Sequence, residues 1–227
     1  MDSKTLYIVS TPIGNLKDIT LRAVDVLKNV NVILSEDTRE TSKLLDHYNI
    51  LCRQLSYRDQ NHKKMVGVVF KLLESGNNVA LITDSGTPLI SDPGFKLVKE
   101  CLDKGYKVTS LPGPSAVISA LVLSGLPTDK FTFLGFLPKS KRQRQNILAE
   151  YGKHDSTLII YESPYKILDL LDEVFEILGD RYVSLVKEMT KVHEKIYRGY
   201  IKDIKEALKE KKLKGEYVLL ISKKDFK

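Results

Sequence analysis

The chain has 227 residues, 36 Lys and Arg against 29 Asp and Glu, and a formal net charge of +7. Its ordinary apolar and charged fractions exclude a disordered chain, and its length suits one large domain or two small ones. No apolar run approaches the roughly 20 residues of a membrane span and the N-terminus lacks the basic and apolar regions of a signal peptide, so a cytoplasmic protein with no membrane partner is expected.

The first expected element is a strand over residues 6–10, followed by a helix over 20–28 in which Leu21, Val24 and Leu27 keep one apolar stripe. A strand at 32–35, a helix at 38–48 and a strand at 52–56 come next. The helix at 63–75 repeats the stripe through Val66, Val69, Leu72 and Leu73 and ends at Gly76, a residue suited to a left-handed C-terminal cap. A strand at 79–83, a helix at 95–104 closed by Gly105, and a strand at 107–111 complete the first half. Alternation of this kind predicts a largely parallel sheet covered by helices.

Past Ser115 the pattern changes. A helix through Leu123, a turn at Gly125-Leu126-Pro127 and a strand at 131–134 lead into a Lys-rich polar loop. A strand at 157–161 precedes a helix at 164–178, opened by Ser163 and Pro164 and closed by Gly179. A strand at 182–186, a strand near 195–200, an amphipathic helix at 203–212 and a strand at 217–222 finish the chain. The fold class is therefore α/β with two α/β domains: a largely parallel sheet in residues 1–113 and a mixed sheet in 114–227, the boundary falling near 112–126.

Cys52, in an expected strand, and Cys101, in an expected helix, have no second Cys or His at ligand spacing and read as small core residues. His47, His62, His154 and His193 form no zinc pattern, so no metal is expected.

Chemistry concentrates in the strand-exit loops. Thr11-Pro12-Ile13-Gly14-Asn15 follows the first strand, residues 83–94 follow the fourth, and Pro112-Gly113-Pro114-Ser115-Ala116 follow the fifth. One such loop reads equally as a rich turn with a helix cap. Three at the same edge of a parallel sheet lie where open α/β proteins hold a small ligand. There is no G-x-G-x-x-G after the first strand and no G-x-x-x-x-G-K-[ST], which excludes a dinucleotide fingerprint and a P-loop. The expected ligand is polar, not strongly anionic, and held by backbone groups.

The segments Thr11-Pro12-Ile13-Gly14-Asn15-Leu16-Lys17-Asp18-Ile19-Thr20, Ser35-Glu36-Asp37-Thr38-Arg39, Thr83-Asp84-Ser85-Gly86-Thr87-Pro88-Leu89-Ile90-Ser91-Asp92-Pro93-Gly94, Pro112 to Ala116, Gly135-Phe136-Leu137-Pro138 and Tyr161-Glu162-Ser163-Pro164 closely resemble the ribosomal RNA small subunit methyltransferase I family, of the tetrapyrrole methylase superfamily. The resemblance runs from about Leu6 to Ile221. It implies S-adenosyl-L-methionine as methyl donor, the ribose 2′-hydroxyl of a cytidine in the decoding region of 16S ribosomal RNA as acceptor, the 30S subunit as context, and a homodimer of two-domain subunits with a ligand cleft between the domains. By position it implies donor contacts from Pro12, Gly14, Asp84, Ser85, Gly86, Ile90, Ser91, Ser115 and Ala116, and from Phe136, Leu137, Glu162, Met189 and Gly215 in the second half. Long members of the family carry a further basic C-terminal segment beyond the matched length.

Several of these residues have two readings. Asp37, just past the second strand, is the candidate proton acceptor or ribose-orienting carboxylate, and Asp37-Thr38-Arg39-Glu40 also reads as a helix N-cap with an acid three positions on. Arg39 suits an RNA phosphate or a surface pair with Glu36 or Glu40. Asp84 suits the donor's hydroxyls and sulfonium, or a turn bonding its own backbone. Glu188 and Glu216 are further candidate cleft carboxylates. Lys139, Lys141, Arg142 and Arg144 place four cations in six residues, a phosphate-tracking loop or a solvated one. Residues 202–214 interleave Asp203, Glu206 and Glu210 with their lysines and read as a solvated helix face. The competing activities are methylation of a tetrapyrrole or other small molecule by a member of the same superfamily, and non-catalytic RNA binding during ribosome assembly.

Overall fold

The structure, a computed structural model, describes residues 4–226. It divides into two compact units, Met1–Ser115 and Ala116–Lys227.

The first unit runs β1 (Thr5–Val9), α1 (Leu21–Asn29), β2 (Val32–Ser35), α2 (Thr38–His47), β3 (Arg53–Ser56), α3 (His62–Glu74), β4 (Val79–Leu81), α4 (Phe95–Asp103) and β5 (Lys107–Leu111). The strands form one parallel sheet in the order β3-β2-β4-β1-β5. Every residue of β1, β2 and β4 is buried, because both faces are covered, and these strands accordingly read as continuous apolar runs. On one face Tyr7, Val9, Ile33 and Ala80 pack against Ala23, Val26 and Leu27 of α1 and Leu44 and Leu45 of α2. On the other face Leu6, Ile8, Leu34 and Leu81 pack against Met65, Val69 and Leu73 of α3 and Leu97 and Cys101 of α4. The adjacent strands β1 and β4 thus send their helices to opposite faces, the arrangement that opens a crevice at the carboxyl edge of such a sheet.

Local chemistry sets the helix ends. The Thr20 hydroxyl accepts the Ala23 N–H (3.1 Å) at the start of α1, and Gly76 ends α3 at φ +85°. β4 stops at Leu81, two residues earlier than the expected strand, although the Ile82 N–H still reaches the Leu34 carbonyl (3.0 Å). Buried His62 joins Tyr57 (Nδ1, 2.9 Å) to Glu100 (Nε2, 2.8 Å), fastening the start of α3 to α4. Both cysteines are free thiols; Cys101 is fully buried in α4, and burial followed by the charge of Glu100 pushes its thiol up to about 12.

The second unit runs α5 (Ala116–Ser124), β6 (Phe131–Phe136), α6 (Lys141–Tyr151), β7 (Thr157–Glu162), α7 (Ile167–Leu178), β8 (Tyr182–Lys187), β9 (Lys195–Tyr200), α8 (Ile201–Leu208) and β10 (Tyr217–Ile221). Its sheet has the order β6-β7-β10-β8-β9, with β6 and β7 parallel and the other pairs antiparallel, so its direction is mixed. Leu158, Ile160, Leu185 and Leu219 meet Leu170, Leu171 and Val174 of α7 and Ile204 and Leu208 of α8 in one core.

Three expectations need correction here. Residues 141–151 form a helix, not a loop. Only Leu148 is buried along α6, so no apolar stripe marks it in the sequence, and its cationic first turn runs against the helix dipole. α7 starts at Ile167, because residues 163–166 close a turn in which the Lys166 N–H donates to the Ser163 carbonyl (3.2 Å) and Pro164 takes its second position. α8 covers Ile201–Leu208 and buries Ile201, Ile204 and Leu208.

α6 is fastened by a buried ion pair. Arg144, 15% exposed, binds both oxygens of Glu173, 5% exposed, with Nε to Oε2 at 2.9 Å. Its remaining donor capacity goes to the Pro138 and Lys139 carbonyls (3.2 and 2.7 Å). Arg144→Ala should therefore lower the stability of the chain by about 3 kcal/mol, since it leaves Glu173 charged and buried. Replacing both partners by Met should recover much of the loss. Urea unfolding is the check, and a change under about 1 kcal/mol for the single variant would show that α6 is held by other contacts.

Candidate functional site

The three Gly- and Pro-containing loops of the first unit meet at the carboxyl edge of its sheet and are tied to one another. Thr11 and Gly86 exchange both backbone hydrogen bonds (2.8 and 3.1 Å), forming a small bridge between the β1 and β4 exits. The Thr11 hydroxyl donates to the Thr83 carbonyl (3.0 Å). The Thr87 hydroxyl donates to the Pro114 carbonyl (2.9 Å), which leaves it to accept from Ser10 (3.0 Å). One threonine thus joins the β4 loop to the exits of β1 and β5.

Backbone geometry explains the composition of this frame. Gly86 has φ +84°, and a Cβ there would sit 3.3 Å from Ile13 Cγ2. Gly113 passes so close to β1 that a Cβ would lie 2.7 Å from the Ser10 Cβ. Leu89 and Ser91 adopt φ +74° and +65°, uncommon for residues with side chains and a mark of a loop held by its surroundings. Of the expected donor residues in this unit, Gly14, Asp84, Ser85, Ile90 and Ser91 are exposed, Pro12 and Ser115 are half-buried, and Gly86 is buried. An exposed polar rim over a backbone floor suits a neutral or cationic polar ligand. Among the described residues no group of three or more His, Cys, Asp or Glu is placed to hold a metal ion.

The other side of the β4 loop faces the exits of β2 and β3. The Asp37 N–H donates to Asp84 Oδ1 (3.0 Å), and the Thr83 hydroxyl donates to Glu36 Oε2 (3.0 Å). A hollow of about 430 Å³ opens here, lined by Glu36, Arg58, Ser91 and Asp92 among others. Burial above all, then the charges of Glu36 and Asp84, push the Asp92 carboxyl up to about 7 against the opposing effect of the Thr83 hydroxyl. In the sequence Asp92 stands only as part of the loop and Glu36 only as a possible surface partner of Arg39. An acid in each of two strand-exit segments was the available signal; bringing the two into one hollow needed the fold.

Asp37 takes the capping role. Its Oδ1 accepts the Arg39 backbone N–H (2.9 Å) and Nε (3.0 Å), and its Oδ2 binds the Arg39 terminal nitrogen (2.6 Å). These bonds hold its carboxyl far below the usual carboxylate range, so it is a weak proton acceptor. Glu40 pairs with Lys43 (2.8 Å) and does not complete the capping box. Arg39 pairs with Asp37, not with Glu36 or Glu40.

In the second unit, Phe136 ends β6, Glu162 ends β7, Met189 follows β8 and Gly215 precedes β10. Register places them at one sheet edge, since Tyr217 lies opposite both Glu162 and Lys187. Phe136 is 63% exposed, Leu137 is half-buried, and Met189 is buried. Buried Glu162 accepts the Ser163 N–H (2.7 Å). Glu188 accepts the Glu216 N–H (2.9 Å) and Lys191 Nζ (3.1 Å), and lies against Gly215 so closely that a Cβ there would overlap its carboxyl. Burial raises the Glu188 carboxyl, but these donors together bring it below its ordinary value. Glu216 is surface-exposed and paired with Lys191 (2.8 Å). Lys139, Lys141 and Arg142 are exposed, whereas Arg144 is half-buried and engaged by Glu173.

A family model described as Tetrapyrrole (Corrin/Porphyrin) Methylases matches residues 5–205. The ribosomal RNA small subunit methyltransferase I of Thermotoga maritima is 44% identical over 220 residues, covering 97% of this chain and 99% of that protein. The protein of the same name from Hydrogenobaculum sp. is 46% identical over 222 residues, 97% and 96% of the two chains. That from Escherichia coli O157:H7 is 44% identical over 219 residues, 95% of this chain and 77% of the longer relative. Among solved structures, a cobalt precorrin-4 methyltransferase superposes with TM-score 0.71 at 19% identity, covering 96% and 95% of the two chains. A uroporphyrin-III-C-methyltransferase from Thermus thermophilus gives 0.65 at 17% identity, covering 97% and 94%. At these identities the structural likeness bears on fold alone.

Proposed function

Because the chain belongs to the tetrapyrrole methylase family, we propose that it transfers the methyl group of S-adenosyl-L-methionine to the ribose 2′-hydroxyl of a cytidine in the decoding region of 16S ribosomal RNA. Identities of 44 to 46% over nearly the whole chain with three proteins named ribosomal RNA small subunit methyltransferase I support the substrate class. The observation that carries the chemistry is the hydrogen-bonded meeting of three backbone-rich loops at the carboxyl edge of the parallel sheet.

When bound, the donor supplies an electrophilic methyl group on a sulfonium. The protein's task is to align an oxygen with that carbon and exclude water. Gly14 and Ser115 offer backbone contacts to the donor, Gly86 holds the floor through its two bonds to Thr11, and the free edge of the Asp84 carboxylate suits the donor's hydroxyls or positive sulfur. The exposed cations at Lys139, Lys141 and Arg142 suit phosphates of the acceptor strand. We further assign the assembled 30S subunit as substrate, the cytoplasm as location, and a homodimer as the working form. The exposed Ile118 and Val122, one turn apart on α5, are consistent with such pairing, and light scattering tests it.

The test of function is incubation with labelled S-adenosyl-L-methionine and, separately, 30S particles, naked 16S RNA and a tetrapyrrole. Label should enter the 30S particle and be recovered as 2′-O-methylcytidine, whose neighbouring phosphodiester resists alkali. Label in the tetrapyrrole, or in neither, would refute the assignment. In the same assay Asp37→Asn should keep a near-parental rate, since Asn caps as well as Asp. A loss of about a hundredfold or more would return Asp37 to the chemistry.

A further inference from the structure

We propose that Asp92, which lines the hollow beside the β4 loop together with Glu36, is the catalytic base that takes the proton from the acceptor hydroxyl. This rests on the proposed methyl transfer to ribose.

The two sides of the β4 loop divide the work. Gly86 and Thr87 face the exits of β1 and β5 and belong to the donor frame, Asp92 lines the hollow at the exits of β2 and β3, and Asp84 stands between them with one oxygen bonded to the Asp37 N–H. Thr83 joins the two sides, since its carbonyl accepts the Thr11 hydroxyl of the loop frame (3.0 Å) and its hydroxyl donates to Glu36 (3.0 Å), so the hollow adjoins that frame. Its volume of about 430 Å³ falls in the range of small-molecule sites, about 300 to 1,000 Å³.

Within the hollow one group is suited to accept a proton near neutral pH. The Thr83 hydroxyl has a single proton, which it gives to Glu36, so Glu36 and Asp92 compete for one donor. Burial, Glu36 and Asp84 all disfavour a charge on Asp92, which brings it to about 7. Arg58 and Asp59 line the hollow from the segment after β3. Among the described residues Arg58 forms no ion pair with either acid: its Nε donates to the Glu36 carbonyl (2.8 Å) and its terminal nitrogen lies 3.8 Å from Asp37. A base with a pKa near the working pH combines adequate strength with a substantial ionised fraction.

The step balances without a further reactant. The acceptor O–H bond breaks toward an Asp92 oxygen as the hydroxyl oxygen forms the new O–C bond. The S–C bond breaks with its electron pair returning to sulfur, which leaves as a neutral thioether. The proton then passes from Asp92 to water in the open hollow.

The experiment compares the parent, Asp92→Asn and Glu36→Gln in single-turnover methylation of 30S particles across pH 5.5 to 9, with donor binding by calorimetry and a carboxyl ¹³C titration of the ligand-free protein. Asn is an isostere that removes the repulsion with Glu36, so the variant should fold. Asp92→Asn should lose about 10²- to 10⁴-fold in rate with donor affinity unchanged. The parent rate should rise with pH about a midpoint near 7, and that limb should vanish in Asp92→Asn. One carboxyl titrating in this region should vanish with it. Glu36→Gln removes a negative neighbour, lowers the Asp92 pKa and should move the limb to lower pH. An Asp92→Asn variant retaining both rate and limb overturns the proposal while leaving the methylation reading intact. A parent that methylates no ribose overturns both.

Discussion

Gly86→Val is expected to abolish measurable donor binding while leaving a cooperatively folded chain. Gly86 sits at φ +84° and exchanges two backbone hydrogen bonds with Thr11, so the backbone cannot relax without breaking the bridge between the β1 and β4 exits. A left-handed conformation costs an ordinary residue roughly 1 to 2 kcal/mol, and a β-branched one is a genuine outlier there. The added Cβ would already lie 3.3 Å from Ile13 Cγ2, before either γ-methyl is placed. The loop must therefore shift, and with it the floor to which the donor is proposed to bind. Calorimetry should show at least a hundredfold loss, about 2.7 kcal/mol, with a single sharp thermal transition retained. Donor affinity equal to the parent's would remove the β4 loop from the site.

Replacing Lys139, Lys141 and Arg142 by Ser should weaken RNA binding and flatten its dependence on salt. All three side chains are exposed at or just before the start of α6. Each phosphate contact contributes about 0.7 to 0.9 to the log-log slope, so losing three should lower it by about 2 to 2.7. Arg144 is left in place because its removal would strand the buried Glu173 and confuse a binding effect with a folding one. Lys141 also approaches Glu176 at 3.8 Å, an exposed pair of little energetic value, so its loss should not unfold the helix. Binding titrations at several salt concentrations are the measurement. A parental slope would make this face of α6 solvated surface, and donor affinity should be the same in both proteins.

Much of the first unit was legible before any coordinates. Strands buried on both faces had to be continuous apolar runs, as 6–10, 32–35 and 79–83 are, and their alternation with striped helices leaves a parallel sheet as the economical fold. The three exit loops were equally visible, because backbone held at unusual angles or in close contact demands Gly and Pro whatever the surroundings, and Gly86 and Gly113 are such positions.

Tertiary structure decided what depends on partners far apart in the chain. α6 was invisible because its apolar anchorage is confined to Leu148 and Tyr151, with a buried ion pair to Glu173 fastening its start, and periodicity detects only stripes. The same pair gives Arg144, one of the four cations of that segment, a structural partner that the sequence does not reveal. Asp37 carried two readings in the sequence, cap and base, and the structure shows the cap, with the Arg39 guanidinium across both its oxygens. Asp92 and Glu36 stand 56 residues apart (92 − 36) and share one hollow only because β2 and β4 are neighbours in the sheet. Sequence fixes which residues are acids, but a carboxyl's affinity for its proton is set by burial and by charges that folding brings near it.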